Sequence, residues 1–175
     1  LNFEIPAHWS TDCLGNICEI IRGITFPASQ KQQFKNDASV ACLRTANVQK
    51  EVDWNDLIYV DRSFVKRDVQ WIVLDDILIS MANSYDLVGK VSLVKEVKEQ
   101  ATFGGFLAAI RAYLVSPYFI YLVLLSPYMQ NALRSTSRQT TNIANLSLTN
   151  MRPIPIPVPP IAEQQRIVAK VDELM

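Results

Sequence analysis

The sequence predicts an α+β fold: a twisted, largely antiparallel or mixed sheet with a few packed helices, followed by a proline-rich strap and a C-terminal helix. Strand-like apolar runs fill the first two thirds of the 175 residues, and helix signals cluster in the last third. This order of elements favours α+β. Hydrophobic residues make up 49% of the chain, which is enough for a sizeable core in a chain of this length.

The strand predictions rest on short apolar runs bounded by turn residues. After a short opening element at residues 9–21 and a polar loop, the runs cover residues 40–48, 57–60, 77–82, 91–94 and 102–112. Asp75-Asp76 predicts a turn before the third run. The run that begins at Val91 is expected to pair with the run that follows it. Gly104 and Gly105 indicate a bulge or a close backbone approach in the last run.

Two helices are predicted by the same signal, a serine N-cap followed by a proline in the first turn. Ser116-Pro117 begins a helix over residues 117–125, and Ser126-Pro127 begins one over residues 127–133. Residues 135–142 are all polar, so they are expected to form a surface loop. The chain should then return to the core through four apolar residues, Ile143, Leu146, Leu148 and Met151.

The end of the chain combines a proline strap with an amphipathic helix. Five prolines fall within residues 153–160, and they predict a stiff extended segment that is not a central strand. Pro160 suits the first helical position and Glu163 the first turn. The helix is expected to continue beyond the last residue. An apolar stripe that suits a partner helix is formed by Ile161, Gln164, Val168, Val171 and Met175.

The formal net charge is zero, which by itself argues against a nucleic-acid ligand. The charges are unevenly distributed, however. Residues 1–100 have 11 basic and 14 acidic side chains, whereas residues 101–162 have four arginines and no acid. This positive zone predicts a phosphate-facing surface. The alternative is a hydrophobic segment that merely lacks acids.

Several other classes of site are disfavoured by composition. The three cysteines, Cys13, Cys18 and Cys42, are expected to be reduced thiols, and the Cys13–Cys18 spacing has no second ligand pair for zinc. His8 is the single histidine, so a Cys–His nucleophile would need a cysteine brought to it. Arg111 and Ser116-Pro117 interrupt the apolar stretch at residues 103–125, which is therefore read as core elements and not as a membrane span.

The leading candidate site is the polar segment at residues 134–142. Arginine can bind guanine through two hydrogen bonds, and glutamine or asparagine can do the same with adenine. Hydroxyl groups mostly contact phosphates. This segment supplies all of these groups without a nearby acid: Arg134, Arg138, Gln139, Thr140, Thr141 and Asn142. The alternative interpretation is a flexible polar connection.

The final segment also carries a resemblance to a known family. Residues 159–168, Pro-Pro-Ile-Ala-Glu-Gln-Gln-Arg-Ile-Val, resemble the box that joins a target recognition domain to a long helix in specificity subunits of type I restriction-modification systems. Weaker similarities to the family lie earlier in the chain, at residues 5–9, 14–15, 21–25, 43–48 and 76–80. They occur in the same order as in the family. His8 and Asp75 stand where the family pattern has glycine.

The resemblance implies further candidate contacts with DNA. Arg44, Thr45 and Asn47 belong to the family-like segment at residues 43–48, although an ion pair between Arg44 and an acid is an equal alternative. Arg22 and Thr25 flank Gly23 and are expected to place a backbone amide against a phosphate. A further loop provides Ser84 and Tyr85, and Tyr85 either stacks on a base or fills a surface groove.

The resemblance also implies the function and the partners. Residues 1–152 would be a non-catalytic recognition domain that reads one half of a bipartite target in double-stranded DNA. Residues 153–160 would be the connector, and residues 161–175 the start of a spacer helix that pairs antiparallel with a second one and leads to a second recognition domain. Modification (methyltransferase) and restriction subunits would be the other partners, in the cytoplasm and without a membrane.

The chain itself is expected to hold no cofactor, because S-adenosylmethionine, ATP and Mg²⁺ would bind the partner subunits. Two alternatives remain open at this point. One is a protein-interaction module that uses the proline strap and the apolar helix without contacting DNA. The other is a small hydrolase that uses a Cys–His pair.

Overall fold

The computed structural model describes residues 4–139 and 143–174, with the side chain of Gln139 outside the description. The strands in these residues are β1 (Ser10–Cys13), β2 (Cys18–Arg22), β3 (Ser39–Leu43), β4 (Ile58–Asp61), β5 (Ile77–Ser80), β6 (Ala82–Asn83), β7 (Val91–Leu93), β8 (Ala101–Phe103), β9 (Leu107–Ala112), β10 (Arg138–Gln139), β11 (Ala144–Asn145) and β12 (Pro155–Val158). The α-helices are α1 (Leu14–Ile17), α2 (Pro117–Leu125), α3 (Pro127–Thr136), α4 (Leu148–Met151) and α5 (Ile161–Leu174).

The strands form two main sheets and two small ones. The central sheet has the order β2-β9-β5-β7 and is antiparallel throughout. The second sheet has the order β4-β3-β8, in which β3 and β8 run parallel. The small sheets are β1-β12 and β10-β11-β6. The predicted α+β class with a largely antiparallel, mixed sheet is therefore confirmed.

The central sheet is buried on both faces, which explains the nearly continuous apolar runs of its strands. On β5, Ile77 and Ile79 point toward α2 and α3, whereas Leu78 packs with the second sheet. Alternation along a strand produces this division. A fully buried side chain of this size contributes roughly 1.5–3 kcal/mol by leaving water, so the side chains on both faces of β5 and β9 stabilise the fold.

The predicted strand at residues 102–112 is instead two strands in different sheets. β8 pairs with β3, and β9 lies in the centre of the other sheet. Gly104 and Gly105 form the turn between them. The predicted close approach is present here, because a Cβ atom on Gly23 would lie 2.2 Å from the Gly104 carbonyl oxygen. The chain changes sheet at this point, which a single periodic run does not reveal.

Three other strand predictions differ from the structure. The strand expected over residues 40–48 ends at Leu43, and Thr45–Asn47 form a 3-10 turn. β7 pairs with β5 and not with the following β8, because β8 pairs with β3 in the other sheet. Arg138–Gln139, expected in a loop, form β10. The predicted turn at Asp75 is confirmed by its φ of 67°.

The helix starts follow from their caps. The Ser116 and Ser126 hydroxyls accept hydrogen bonds from the amides of Phe119 and Met129, at 3.4 and 3.2 Å. α3 extends to Thr136, three residues past the predicted end. Of the residues expected to return to the core, Leu146 and Met151 are buried and Leu148 is half-buried, but Ile143 is 50% exposed.

The proline strap is extended, as predicted, and it pairs with β1 in a separate two-stranded sheet. Pro160 lies before α5 and not at its first position. Its carbonyl oxygen accepts hydrogen bonds from the amides of Glu163 and Gln164, at 2.8 and 3.1 Å, so it occupies the flanking cap position. Within residues 4–139 and 143–174, no helix combines the length and the hydropathy that crossing a bilayer requires.

Candidate nucleic-acid interface

Four of the predicted site residues meet in one groove, although they are distant in sequence. The groove has a volume of about 450 Å³. It lies where β2 and β3 end and where the glycine turn joins β8 to β9. We call it the basic groove, and the side chains that define it are Arg22, Thr25, Lys31, Arg44, Thr45 and Phe106. Its lining contains three cations and no carboxylate.

Backbone hydrogen bonds hold the walls of the basic groove together. The amide of Gly23 donates to the carbonyl of Leu107 at 3.1 Å, and that of Ile24 donates to Phe103 at 2.8 Å. The amide of Gly104 donates to Leu43 at 2.9 Å. The amides of Gly23 and Ile24 are therefore bonded inside the protein and are not the backbone donors expected to face a phosphate.

Arg44 forms an ion pair and also lines the basic groove. Its Nη2 donates to a carboxylate oxygen of Asp56 at 2.8 Å and to the Asp56 backbone carbonyl at 3.1 Å. The ion-pair alternative is thus confirmed, while the side chain also lines the groove. Since the Asp56 side chain is 75% exposed, solvent weakens this ion pair.

Asn47 does not belong to the exposed set. It is fully buried, its Oδ1 accepts a hydrogen bond from the Arg44 amide at 2.7 Å, and its Nδ2 donates to the carbonyls of Asp53 and Asp56, both at 2.9 Å. We therefore correct its predicted role from DNA contact to structural support. Its side chain closes the turn that presents Thr45 in the groove.

The other two predicted segments meet in the small sheet β10-β11-β6, which we call the edge sheet. Arg138 lies opposite Asn145 in it, and Ala144 lies opposite Asn83. The loop after β6 carries Ser84 and Tyr85, both exposed. Thr140, Thr141 and Asn142 lie outside the described residues.

Arginines 134 and 138 differ in their surroundings. Arg134 is half-buried, and its Nη2 donates to the Asp86 carbonyl at 3.3 Å, which ties the end of α3 to the loop of Ser84 and Tyr85. Arg138 is exposed, and it forms no ion pair with the described residues. Arg134 is thus a support of the edge sheet, and Arg138 is an exposed cation that no described acid pairs.

The basic groove and the edge sheet are joined through one residue, Met81. Its amide donates to the Phe106 carbonyl at 2.8 Å, and its carbonyl accepts from the Leu146 amide, also at 2.8 Å. Phe106 is 69% exposed and belongs to the groove. Lys31 and Phe106 were missed by sequence reasoning. The only sequence signal was the glycine pair before Phe106, which indicated a close approach but no exposed ring.

The helix stripe predicted for a partner helix is partly used within the chain. Gln164 is buried; its Nε2 donates to the Pro159 carbonyl at 2.9 Å, and its Oε1 accepts from the Ser116 amide at 2.8 Å. Val168 packs against the core, whereas Ile161 is 55% exposed and Val171 is half-buried. Met175 lies outside the described residues. The role of Gln164 is therefore corrected to anchoring α5 on its own domain.

The strap is a poor peptide ligand in this arrangement. It is paired with β1, and two of its prolines, Pro157 and Pro159, are buried. A proline-rich ligand must present its rings to the partner's groove. The geometry therefore does not favour the protein-interaction alternative.

Two of the three cysteines are poor nucleophiles. Burial raises the pKa of both Cys18 and Cys42 to about 12, so both remain protonated thiols near neutral pH. His8 instead bonds the Glu163 carboxylate at 2.8 Å, and this contact lowers the pKa of Glu163. Among the described residues, no three of the His, Cys, Asp and Glu side chains are grouped so that they could hold a metal ion.

Comparison with known proteins identifies the family of this chain. The family model for the type I restriction modification DNA specificity domain matches residues 6–175. The StySPI specificity subunit of a type I restriction enzyme from Salmonella potsdam is 31% identical over 98% of the chain, and the EcoKI specificity subunit from Escherichia coli K12 is also 31% identical over 98%. The chain spans 37% of the length of each.

Solved structures agree on the fold. The HsdS subunit from Thermoanaerobacter tengcongensis superimposes with a TM-score of 0.70 at 21% identity, over 98% of this chain and 38% of that one. A structure from a type I R-M system gives a TM-score of 0.71 at 22% identity, over 99% of this chain and 40% of that one. With a family model that matches nearly every residue, the chain belongs to the type I restriction modification DNA specificity domains.

Proposed function

We propose that the chain is one target recognition domain of a type I specificity subunit, and that it reads one half of a bipartite target in double-stranded DNA. The names of the relatives support this assignment. The observation that carries it is the acid-free basic groove, which offers groups suited to phosphates and whose backbone is linked through Met81 to the edge sheet, where Arg138 offers a group suited to bases.

The two parts of this surface have different roles in the proposal. Arg22, Lys31 and Arg44 contact phosphates, which fix the position and the register of the domain on the duplex. Arg138 and the polar residues after it contact base edges in the major groove, where the donor and acceptor pattern distinguishes all four base pairs. Thr25 and Thr45 add hydroxyl contacts to phosphates.

The remaining residues belong to the attachment of the domain. Residues 1–152 form the recognition domain, residues 153–160 connect it, and residues 161–175 begin a spacer helix. The exposed part of this helix pairs with an antiparallel helix that leads to the second recognition domain. Methylation and cleavage are carried out by modification and restriction subunits in the cytoplasm, which also bind S-adenosylmethionine, ATP and Mg²⁺; the chain itself is not catalytic.

Mapping methylated sites in cells that express the parent protein with its modification subunit tests this proposal and yields the bipartite site. A duplex with the mapped half-site can then be titrated with the chain at low salt, against a duplex of scrambled sequence. We expect Arg22→Ala to weaken binding to both duplexes, since a phosphate contact carries no sequence information.

Lys50→Ala is the matched control, because Lys50 is exposed and lines a different cleft, between β7, α2 and α5. This variant should bind both duplexes like the unmodified chain. Equal binding of the unmodified chain to the two duplexes, or equal losses in the two variants, would contradict the proposed surface.

A further inference from the structure

Phe106 is the one large apolar side chain in the basic groove that is mostly exposed, at 69%. Single exposed hydrophobic residues are common on protein surfaces, so exposure alone decides nothing. Its setting is unusual, however, because the same groove is lined by Arg22, Lys31 and Arg44. The apolar ring is therefore exposed to water beside positively charged side chains.

The backbone that carries Phe106 is held from both sides. The Leu107 amide donates to the Gly104 carbonyl at 2.8 Å and closes the turn. The Phe106 carbonyl itself accepts from Met81 at 2.8 Å. Gly104 also forms a parallel bridge with Ile24. The ring therefore projects from a fixed support and loses little backbone freedom if it is immobilised by a ligand.

The tip of the turn is also narrow. The two residues before Phe106 are glycines, and a Cβ atom on Gly105 would lie 3.2 Å from the Ile24 carbonyl oxygen. A larger residue at Gly105 would therefore press on this carbonyl. The two glycines therefore add no side chain of their own beside the ring, and the Thr25 hydroxyl lies 3.5 Å from the position of a Cβ atom on Gly105.

A single apolar side chain on a firm, narrow support, surrounded by phosphate-binding groups, has the shape of the wedges that proteins insert between base steps. We propose that Phe106 enters the duplex beside the recognised half-site and partly unstacks one base step. This inference rests on the proposed function. Base steps differ in how easily they are opened, so insertion of the ring adds a preference for particular sequences at that step.

The test uses duplexes with the mapped half-site in which 2-aminopurine replaces one base at a time, titrated with the 175-residue chain at low salt. The modification subunit is left out so that base extrusion by an enzyme does not contribute. We expect the fluorescence to rise at one base step. Phe106→Ala should abolish the rise and weaken binding about tenfold, as loss of a stacked aromatic does, whereas Phe106→Leu should retain part of both.

Leu114→Ala is the matched control, since Leu114 is 66% exposed just beyond the opposite end of β9, and it should change neither quantity. Binding of the unmodified chain without a rise at any position, or an undiminished rise with Phe106→Ala, would overturn this inference alone. Failure of the unmodified chain to bind any duplex would overturn the proposed function and the wedge with it.

Discussion

At the scale of the residue, Arg138 is the side chain from which most of the base reading is expected. It is exposed in the edge sheet and unpaired among the described residues. We expect Arg138→Ala to weaken binding to the mapped half-site by about 1–3 kcal/mol and to relax the preference at one base pair. Titration of duplexes that vary one base pair at a time measures both effects.

Arg166→Ala is the control for Arg138→Ala, because Arg166 is an exposed arginine on α5. If Arg138→Ala left the preference at every position intact, Arg138 would have no part in base reading. A uniform loss of affinity for all duplexes would show that Arg138 contacts a phosphate and not a base.

The thiols give a second prediction at this scale, independent of DNA. The pKa of Cys18 and of Cys42 is raised to about 12 by burial, so the reactive thiolate is scarce at the pH of ordinary alkylation. Cys13 is half-buried. We expect iodoacetamide to modify Cys13 first and the other two only after unfolding, as followed by mass spectrometry of tryptic peptides. Modification of Cys42 at the rate of Cys13 in the folded chain would contradict the buried setting of β3.

At the scale of the element, α5 is fixed to the domain by Gln164. Replacing Gln164 by Ala leaves the Ser116 amide and the Pro159 carbonyl without their partner. A buried group left unpaired costs about 1–3 kcal/mol, so we expect Gln164→Ala to lower the free energy of unfolding by at least that amount. Urea unfolding followed by circular dichroism measures it.

Gln165→Ala is the matched control for this change. Gln165 is the adjacent residue of the same type and is exposed, and surface substitutions usually stay within about 0.5 kcal/mol. Similar losses for the two variants would mean that Gln164 does not anchor the helix.

The first turn of α5 makes the stability of the fold depend on pH. The hydrogen bond from His8 lowers the pKa of Glu163 below its ordinary value of 4.5. A carboxylate with a lowered pKa in the folded state stabilises the fold above its ordinary pKa, and this contribution is lost as the pH falls through the folded value. We expect Glu163→Gln to be less stable than the unmodified chain above that range and equal to it in acid. A difference that persisted unchanged in acid would exclude this ionisation as its cause.

The elements also show what the sequence can and cannot predict. Helix starts were predicted because Ser116, Ser126 and their prolines act within one turn. The division at Gly104 was not predicted, because it depends on the pairing of β8 with the distant strand β3. The pairing of β7 was not predicted either, because β8, which follows β7 closely, lies in the other sheet and leaves β7 to pair with β5. The burial of Asn47 and Gln164 was not predicted either. A polar residue is expected to be exposed, and only the folded chain brings carbonyls and amides from distant residues around it.

At the scale of the whole molecule, folding rearranges the charge blocks seen in the sequence. Arg111, from the acid-free zone at residues 101–162, is paired through Nε with the fully buried Asp76 at 2.8 Å, so it holds the central sheet to the turn before β5. The cations of the basic groove come instead from the net acidic first hundred residues. Charge counted along the chain therefore located only part of the positive surface, and the three-dimensional arrangement supplied the rest.

This arrangement limits how binding responds to salt. The net charge of the chain is zero, so in the proposed function the attraction to phosphates is local to Arg22, Lys31 and Arg44. Each phosphate contact contributes about −0.9 to the slope of log affinity against log salt, so the three groove cations that contact phosphates in the proposal limit the slope to about −3. We expect Arg22→Ala to reduce its magnitude by about 1, and Lys50→Ala to leave it unchanged. Fluorescence anisotropy over a range of KCl concentrations measures the slope. A much steeper slope for the unmodified chain would require phosphate contacts outside the basic groove, and a slope near zero would mean that the groove does not face DNA.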